Sequence, residues 1–412
     1  MTSYLESNKL LSNNQHGFRP KLSTETALLE LSNNVYYNID KKKISLLLLL
    51  DLSKAFDSVN HDILMKKMYN LKIDPLWFKS YLSNRFQSVR IAGKLSNKHS
   101  ISYGVPQGSI LGPILFTIFI NDLHESFLDC LIVQYADDTQ FLLSGDIDNI
   151  QELINKAENI LRRAKRYFQM NGLMLNEKKT QVIFIGSRQY ISRIPNDISI
   201  NFSGNIISPS KQVKNLGVYF DNYMNFNIHI DEMTRKISGL LFYLNRIKDQ
   251  LDSTIRIIVV QSLVLTVLNY CSTIWGMANK TQIDRVQKLQ NFAAKVSVGD
   301  LRKYDHVQPA FEKLEWLKVK NKINHDICII VFKIINNYFP EWFCKLPTVE
   351  QVRDLPTRQR LDIYTSRART DLGARALKVK GPSLWNALPT EIKRANNIRG
   401  FKCKLKDYFG NI

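Results

Sequence analysis

Apolar positions in the first half of the chain fall into short runs and alternations, and in the second half at helical spacing. Ile44 to Leu50 is a continuous apolar run between Lys41-Lys42-Lys43 and Asp51, the pattern of a strand buried on both faces. Asn60 can cap a helix through Asn70, with Ile63, Leu64, Lys67 and Met68 at helical spacing. Pro75 opens a shorter helix, Leu76 to Leu82. Residues 86–91 and 99–103 alternate as two strands about a Gly93 turn, and a Gly/Pro-rich loop, Gly104 to Gly112, precedes an apolar helix, Pro113 to Leu123. Leu131 to Tyr135 and Thr139 to Leu143 are predicted strands joined at Ala136-Asp137-Asp138. Ile150 to Met170 is an amphipathic helix whose basic cluster, Arg162, Arg163, Lys165 and Arg166, lies toward the end that favours cations. Gln181 to Ile185 and Gln212 to Phe220 are further strand segments. From about 230 the period changes, and residues 231–249, 254–275, 281–297 and 320–338 are predicted helices. Beyond Pro347 the pattern turns irregular, Arg-rich and broken by Gly381-Pro382 and Pro389.

At 412 residues with 44% apolar and 23% charged side chains, this is a folded chain of two to three domains and not a disordered one. No apolar run approaches the ~18–20 residues that span a bilayer, and the N-terminal MTSYLESNKLLSNN lacks a signal pattern. The five cysteines (130, 271, 328, 344, 403) are scattered without CxxC spacing, which argues against a disulfide scaffold or zinc knuckle and for a reducing compartment. The formal charge is +20, of which +9 sits in residues 351–412. A chain this basic points to an anionic partner, and nucleic acid is the commonest large one.

Three aspartates stand out by placement. Asp51 ends the buried strand in LLLLLDLSKAFD, and Asp137 and Asp138 form a tight apex in VQYADDTQF. A single carboxylate at a strand end is ordinarily a turn residue or cap. Two adjacent acids between apolar strands repel and raise each other's pKa unless a cation lies between them. If the Asp51 strand pairs with the hairpin, three hard oxygen donors converge, a set that suits Mg²⁺ and metal-assisted phosphoryl transfer.

These residues carry a family resemblance. The segments NNQHGFRPKLST (13–24), LLDLSKAFDSVNH (49–61), YGVPQGSILGPILFTIFINDL (103–123), YADD (135–138), GLMLNEKKTQ (172–181) and NLGVYFD (215–221) stand in the order found in reverse transcriptases of non-LTR, LINE-type retrotransposons. The chain resembles that family over about 15–221, and the helical stretch to about 275 looks like its thumb. The resemblance implies an α+β right-hand polymerase with incomplete fingers, a palm on an antiparallel sheet, a helical thumb and a mostly helical, basic C-terminal extension. The implied division is 1–190 for partial fingers and palm, 191–280 for the primer-grip region and thumb, and 281–412 for the extension. Because only fourteen residues precede Gln15, the chain is expected to be an N-terminally truncated product of an element's second reading frame.

By the same resemblance, Asp51, Asp137 and Asp138 are the metal-binding catalytic carboxylates, with Mg²⁺ as cofactor and Mn²⁺ as a substitute. Phe56 falls at the steric gate that excludes a 2′-hydroxyl, although a phenylalanine there also reads as core. Gln107 and Gly108 belong to the motif that positions the incoming nucleotide and template. Lys179 matches the lysine that protonates departing pyrophosphate, as a general acid does, with Lys178 as its rival. Leu216 and Gly217 fall in the primer-grip hairpin, and Arg19 near the template path, in a phosphate-binding or structural role. The implied reaction is addition of dNTPs to a primer 3′-hydroxyl on an RNA template, in the nucleus or the cytoplasm. The alternative is a catalytically silent remnant that only binds nucleic acid.

Overall fold

The computed structural model describes residues 1–299, 305–352 and 362–410. The chain forms two compact units: Met1–Ala27, Lys43–Phe184 and Gln189–Ser210 make the first, and Leu28–Lys42, Ile185–Arg188 and Lys211–Ile412 the second. The first mixes strand with helix and the second is mostly helical, so the fold is mixed α+β.

In the first unit a four-stranded sheet runs in the order Gln181–Ile185, Ile44–Leu50, Asp138–Gly145, Leu131–Tyr135. The Ile44–Leu50 strand is central because nothing in it is polar enough to face water except Ser45, itself buried; Ile44, Leu46, Leu47 and Leu48 are all 0% exposed. It pairs antiparallel with Asp138–Gly145 from Ile44↔Gly145 to Leu50↔Thr139. That strand pairs in turn with Leu131–Tyr135, from Leu131↔Leu142 to Tyr135↔Asp138. The amphipathic helix Ile150–Met170 lays Leu153, Ile154, Ala157, Leu161, Ala164 and Phe168 into the core they share with Leu46, Leu48 and Phe141. Each large apolar side chain buried there contributes about 1.5–3 kcal/mol. Asn60 caps the helix His61–Asn70 as its position predicts, its side chain accepting from the Ile63 N–H at 3.0 Å. The predicted Gly93 turn is present, with Ala92 and Gly93 both at positive φ. Its hairpin is interrupted into Arg85–Gln87 with His99–Ile101 and Arg90–Ile91 with Lys94–Leu95.

In the second unit the Gln212–Phe220 segment is a hairpin, Gln212–Asn215 with Val218–Asp221, about the left-handed pair Leu216 (φ 43°) and Gly217 (φ 84°). The long helix expected over 254–275 is broken: Ser253–Val260 passes through a π-helical turn, Gln261–Leu265, and Cys271 adopts φ 48°. The described residues beyond Pro347, irregular by their sequence pattern, instead fold largely as helix. Leu377–Asn386 continues through Gly381-Pro382, and Ile398–Gly410 follows. Burial overrides the breakers there. Trp385 and Phe401 pack on Phe332 of the helix Val319–Ile335, with Phe332 and Phe401 stacked at 4.3 Å. The helix Thr24–Asp40 contributes Leu28–Asp40 to this unit, where Asn33 Oδ1 accepts from the Leu377 N–H (2.7 Å) and Asp40 Oδ1 from the Arg369 and Thr370 N–H groups (2.7 and 2.9 Å). Among the described residues no helix is long and apolar enough to cross a membrane.

Candidate active site

The central pairing ends at Leu50↔Thr139, and the hairpin closes at Tyr135↔Asp138. Asp51 follows directly on the last paired residue of its strand, and Asp138 directly precedes that residue's partner, so the two lie at the same end of the pairing. Asp137 occupies the two-residue turn beside them. The condition set by the sequence, that the Asp51 strand lie beside the hairpin, is therefore met. The electrostatics follow from this crowding. Partial burial, and then the charges of Asp137 and Asp51, push the Asp138 carboxyl up to about 6, and burial together with Asp51 raises Asp137.

The turn holding the two acids is built by residues that the sequence did not mark. Ala136 sits at φ 56° while Asp137 does not share a positive φ, the pattern of a type II′ turn, which favours glycine at its first central position. The buried Gln15 holds it. Gln15 Oε1 accepts from the Ala136 N–H (3.0 Å) and the Gly17 N–H (2.7 Å), and its Nε2 donates to the Ala136 carbonyl (3.3 Å). The flanking backbone adds His16 N–H to Gln134 O and Gln134 N–H to Asn14 O, each 2.8 Å. Gly17 is required by proximity: a Cβ there would lie 2.3 Å from the Ala136 nitrogen. The motif's glutamine and glycine thus serve the aspartate turn.

Lys179 approaches from another loop. Leu52↔Leu175 and Ser53↔Met174 pair, and the Asn176 N–H donates to the Asp51 carbonyl at 2.8 Å, so the loop is fastened beside Asp51. Lys179 Nζ lies 3.6 Å from Asp51 Oδ2. Both groups are solvent-accessible, so the pair contributes little to stability. Of the two neighbouring lysines, Lys179 is the one in contact with an aspartate.

A second group of the expected residues assembles on the adjoining loops. Phe56 stacks on Phe116 (4.4 Å, 26°) and meets Phe18 edge-on (6.2 Å). Its carbonyl accepts from the Val105 N–H (2.9 Å), and Gln107 Nε2 donates to Asp57 Oδ1 (2.8 Å), which ties the Gly/Pro-rich loop to the Phe56 turn. Gly104 makes the approach possible, because a Cβ there would lie 2.8 Å from the Asp57 carbonyl oxygen and φ is +88°. Gly108, at φ +80°, is open to solvent.

Arg19 is turned inward onto its own N-terminal segment. Its guanidinium is bidentate to Glu6 (2.8 and 2.7 Å) and donates to the Ser12 carbonyl (2.7 Å), with the side chain only 4% exposed. Leu216 and Gly217 belong to the second unit. There the Tyr270 hydroxyl donates to the Leu216 carbonyl (2.7 Å), and its ring lies 3.0 Å from where a Gly217 Cβ would be.

Among the described residues no group of three or more His, Cys, Asp or Glu side chains is gathered closely enough to hold a metal ion. The donor chemistry nonetheless fits a hard divalent cation. Asp51, Asp137 and Asp138 offer only carboxylate oxygens, and the raised Asp137 and Asp138 are the electrostatic tension that such a cation relieves.

Residues 1–220 match the reverse transcriptase (RNA-dependent DNA polymerase) family, and the chain belongs to it. Its relatives place it among the enzymes of non-LTR retrotransposons. It is 30% identical over 300 residues to a probable RNA-directed DNA polymerase from transposon BS of Drosophila melanogaster, covering 70% of this chain and 32% of that protein. It is 25% identical over 288 residues to the RNA-directed DNA polymerase from mobile element jockey of the same species, covering 67% and 31%. The chain thus spans about a third of the length of these curated relatives. Among solved structures it is similar to telomerase from Candida albicans in complex with a telomeric RNA fragment, at 16% identity and a TM-score of 0.36 over 84% of this chain and 58% of that one.

Proposed function

We propose that the chain adds deoxynucleotides to a DNA primer 3′-hydroxyl on an RNA template. The observation that carries this reading is the register that ends the Asp51 strand beside the Tyr135–Asp138 turn, so that the charges of Asp137 and Asp51 both act on Asp138. These three residues would hold Mg²⁺, or Mn²⁺ in its place. Bound there, divalent ions supply activation of the attacking hydroxyl and stabilisation of the leaving oxygen. Lys179, in reach of Asp51 and of solvent, carries the proton to the departing pyrophosphate. Phe56, its ring fixed on Phe116, closes the sugar side to a 2′-hydroxyl. Gln107 and Gly108 receive the nucleotide, the glycine permitting close backbone approach. Leu216 and Gly217 grip the primer. In this reading, 1–190 comprises fingers and palm elements, 191–280 primer grip and thumb, and 281–412 a basic extension; the product is made in the nucleus, with the cytoplasm as the alternative.

The test is extension of a DNA primer on an RNA template by the purified chain with dNTPs and Mg²⁺ or Mn²⁺. Asp137→Asn, which removes a ligating charge with little change of shape, should abolish extension. Extension that survives Asp137→Asn and Asp138→Asn removes the assignment. Template binding without extension under either metal identifies a silent, nucleic-acid-binding remnant.

A further inference from the structure

The second unit holds a cleft of its own, lined entirely by residues of Lys211–Ile412. Its walls come from the first turns of two long helices, Lys280–Val298 and Val319–Ile335, and from the short turn Gly373–Arg375 that leads into Leu377–Asn386. Gly276, Met277 and Ala278 complete the lining. Gly276 lets that loop lie against the neighbouring helix: a Cβ there would be 2.8 Å from two carbons of the Ile323 side chain and 2.3 Å from the Ser272 carbonyl oxygen. The cleft measures about 590 Å³, inside the ~300–1,000 Å³ range of sites that take a ligand.

The lining divides by chemistry. Met277 and Ile283 are half-buried, Ala374 is exposed and Ile323 is buried, an aliphatic floor with no aromatic ring in it. Around it stand five cations, Lys280, Lys318, Lys320, Arg375 and Lys380, against two carboxylates, Asp284 and Asp371. Lys280, Lys318 and Lys320 are exposed. Arg375 donates to the Met224 carbonyl at 3.4 Å. Among the described residues none of the four lysines is ion-paired with either aspartate. The rim therefore keeps an excess of positive charge over an apolar floor.

We propose that this cleft docks a short acidic amphipathic helix of a partner protein, with aliphatic side chains on the Met277–Ile283 floor and carboxylates among the rim lysines. A nucleic-acid strand would find its phosphates matched but no ring on which to stack a base. A fatty acid would bring one carboxylate to several cations. A helix with Leu, Ile or Met at i, i+3, i+4 and i+7 and with Glu or Asp beside them satisfies floor and rim together, the mode in which amphipathic helices enter grooves. The rim charges steer the encounter and select its sign, and the floor holds the bound helix. This docking stands independently of the polymerase reading.

The experiment measures fluorescence anisotropy of the full chain at about 0.15 M salt. The probe is a labelled Glu/Leu peptide of about 15 residues with its leucines on one helical face. Two control peptides have the same residues with the leucines scattered, and Lys in place of Glu. The facially ordered acidic peptide should bind about tenfold tighter than either control. Lys280→Glu/Lys320→Glu should weaken it by about tenfold. Neither helix carries an acid in its first turn, where both substitutions fall and where the dipole favours glutamate, so the melt should not drop. Ala374→Trp fills the floor at unchanged charge and should weaken the peptide by about tenfold too; Met277→Ser, which strips the floor without adding bulk, should act in the same direction. Equal binding of all three peptides would overturn the proposal. So would a loss on lysine reversal with none on either floor variant, which would leave only a basic patch. A single-stranded RNA of about 20 nucleotides serves as competitor: if it displaced the peptide and itself lost affinity in the floor variants, the cleft would be a nucleic-acid site and the peptide reading would fall.

Discussion

Replacing Gln15 tests whether the aspartate turn is held from below. Gln15→Ala removes the acceptor of two N–H groups, on Ala136 and Gly17, and the donor to the Ala136 carbonyl. Gln15 is 1% exposed and Ala136 7%, so water does not replace the amide freely. An unsatisfied buried N–H costs about 1–3 kcal/mol, so the two together should cost about 2–4 kcal/mol of stability after some relaxation. The part that falls on Ala136 bears on the chemistry. Without its partner, the left-handed alanine can relax and carry Asp137 and Asp138 with it. A loss of about 1–3 kcal/mol in their positioning corresponds to a kcat lower by about 5- to 150-fold. The assay is primer extension across a Mg²⁺ titration, at a temperature where melts show both proteins folded. The variant should show a lower kcat and a higher half-saturating Mg²⁺, because the carboxylates must be gathered by the ion alone. Gln15→Glu, which keeps the acceptor oxygens and loses the donor, should fall between the two. A variant that melts earlier yet keeps the parental kcat and Mg²⁺ dependence would refute the positioning argument and leave Gln15 a purely structural residue.

Three further outcomes are expected. Because Asp138 is held up to about 6, above the ordinary carboxylate range, its ionised form opposes folding. Without divalent ions, Asp138→Asn should therefore melt above the parent at neutral pH, and the gap should close as pH falls through 6 toward 4; a gap independent of pH would contradict the coupling. Phe56→Val should raise ribonucleotide incorporation by shortening the ring fixed on Phe116, and unchanged sugar discrimination in single-nucleotide extension would return Phe56 to the core. Deleting 351–412, of which 353–361 and 411–412 lie outside the described residues, removes 14 lysines and arginines. The log–log salt slope for single-stranded binding should flatten by about 0.7 for each phosphate that the tail neutralises, and an unchanged slope would mean that it neutralises none.

The carboxylates were legible because their neighbours leave little choice. A run such as Ile44–Leu50 must be buried on both faces, and Tyr135-Ala136-Asp137-Asp138 separates two apolar strands too short to part. Gln15 was not legible as a clamp. A polar residue in a loop carries no periodicity, and its partner lies 121 positions away. The break in 254–275 was hidden for a related reason: apolar spacing continues through Gln261–Leu265, while the π turn and the Cys271 backbone are set by packing. At Gly381-Pro382 local propensity pointed to a break. Trp385 and Phe401 bury enough against Phe332 to hold the helix across it.

The helix Thr24–Asp40 sets a timetable for biosynthesis. Its buried residues Leu28, Leu31, Val35 and Ile39 leave the ribosome early, whereas Leu377, which hydrogen-bonds Asn33, is made 344 residues later. At about 5–20 residues per second, that interval is roughly 17–70 s. During it the helix has an apolar face and an Asn and Asp without their final partners, so a nascent chain offers chaperones and neighbouring chains a sticky stretch for most of its synthesis. The same wiring governs dissection of the protein. A fragment beginning at Lys211 lacks the helix that Leu377, Arg369 and Thr370 contact, and a protease cut between Asp40 and Lys43 would sever the covalent link without separating the pieces. Co-expressing residues 1–42 with the remainder should therefore reconstitute the second unit in trans.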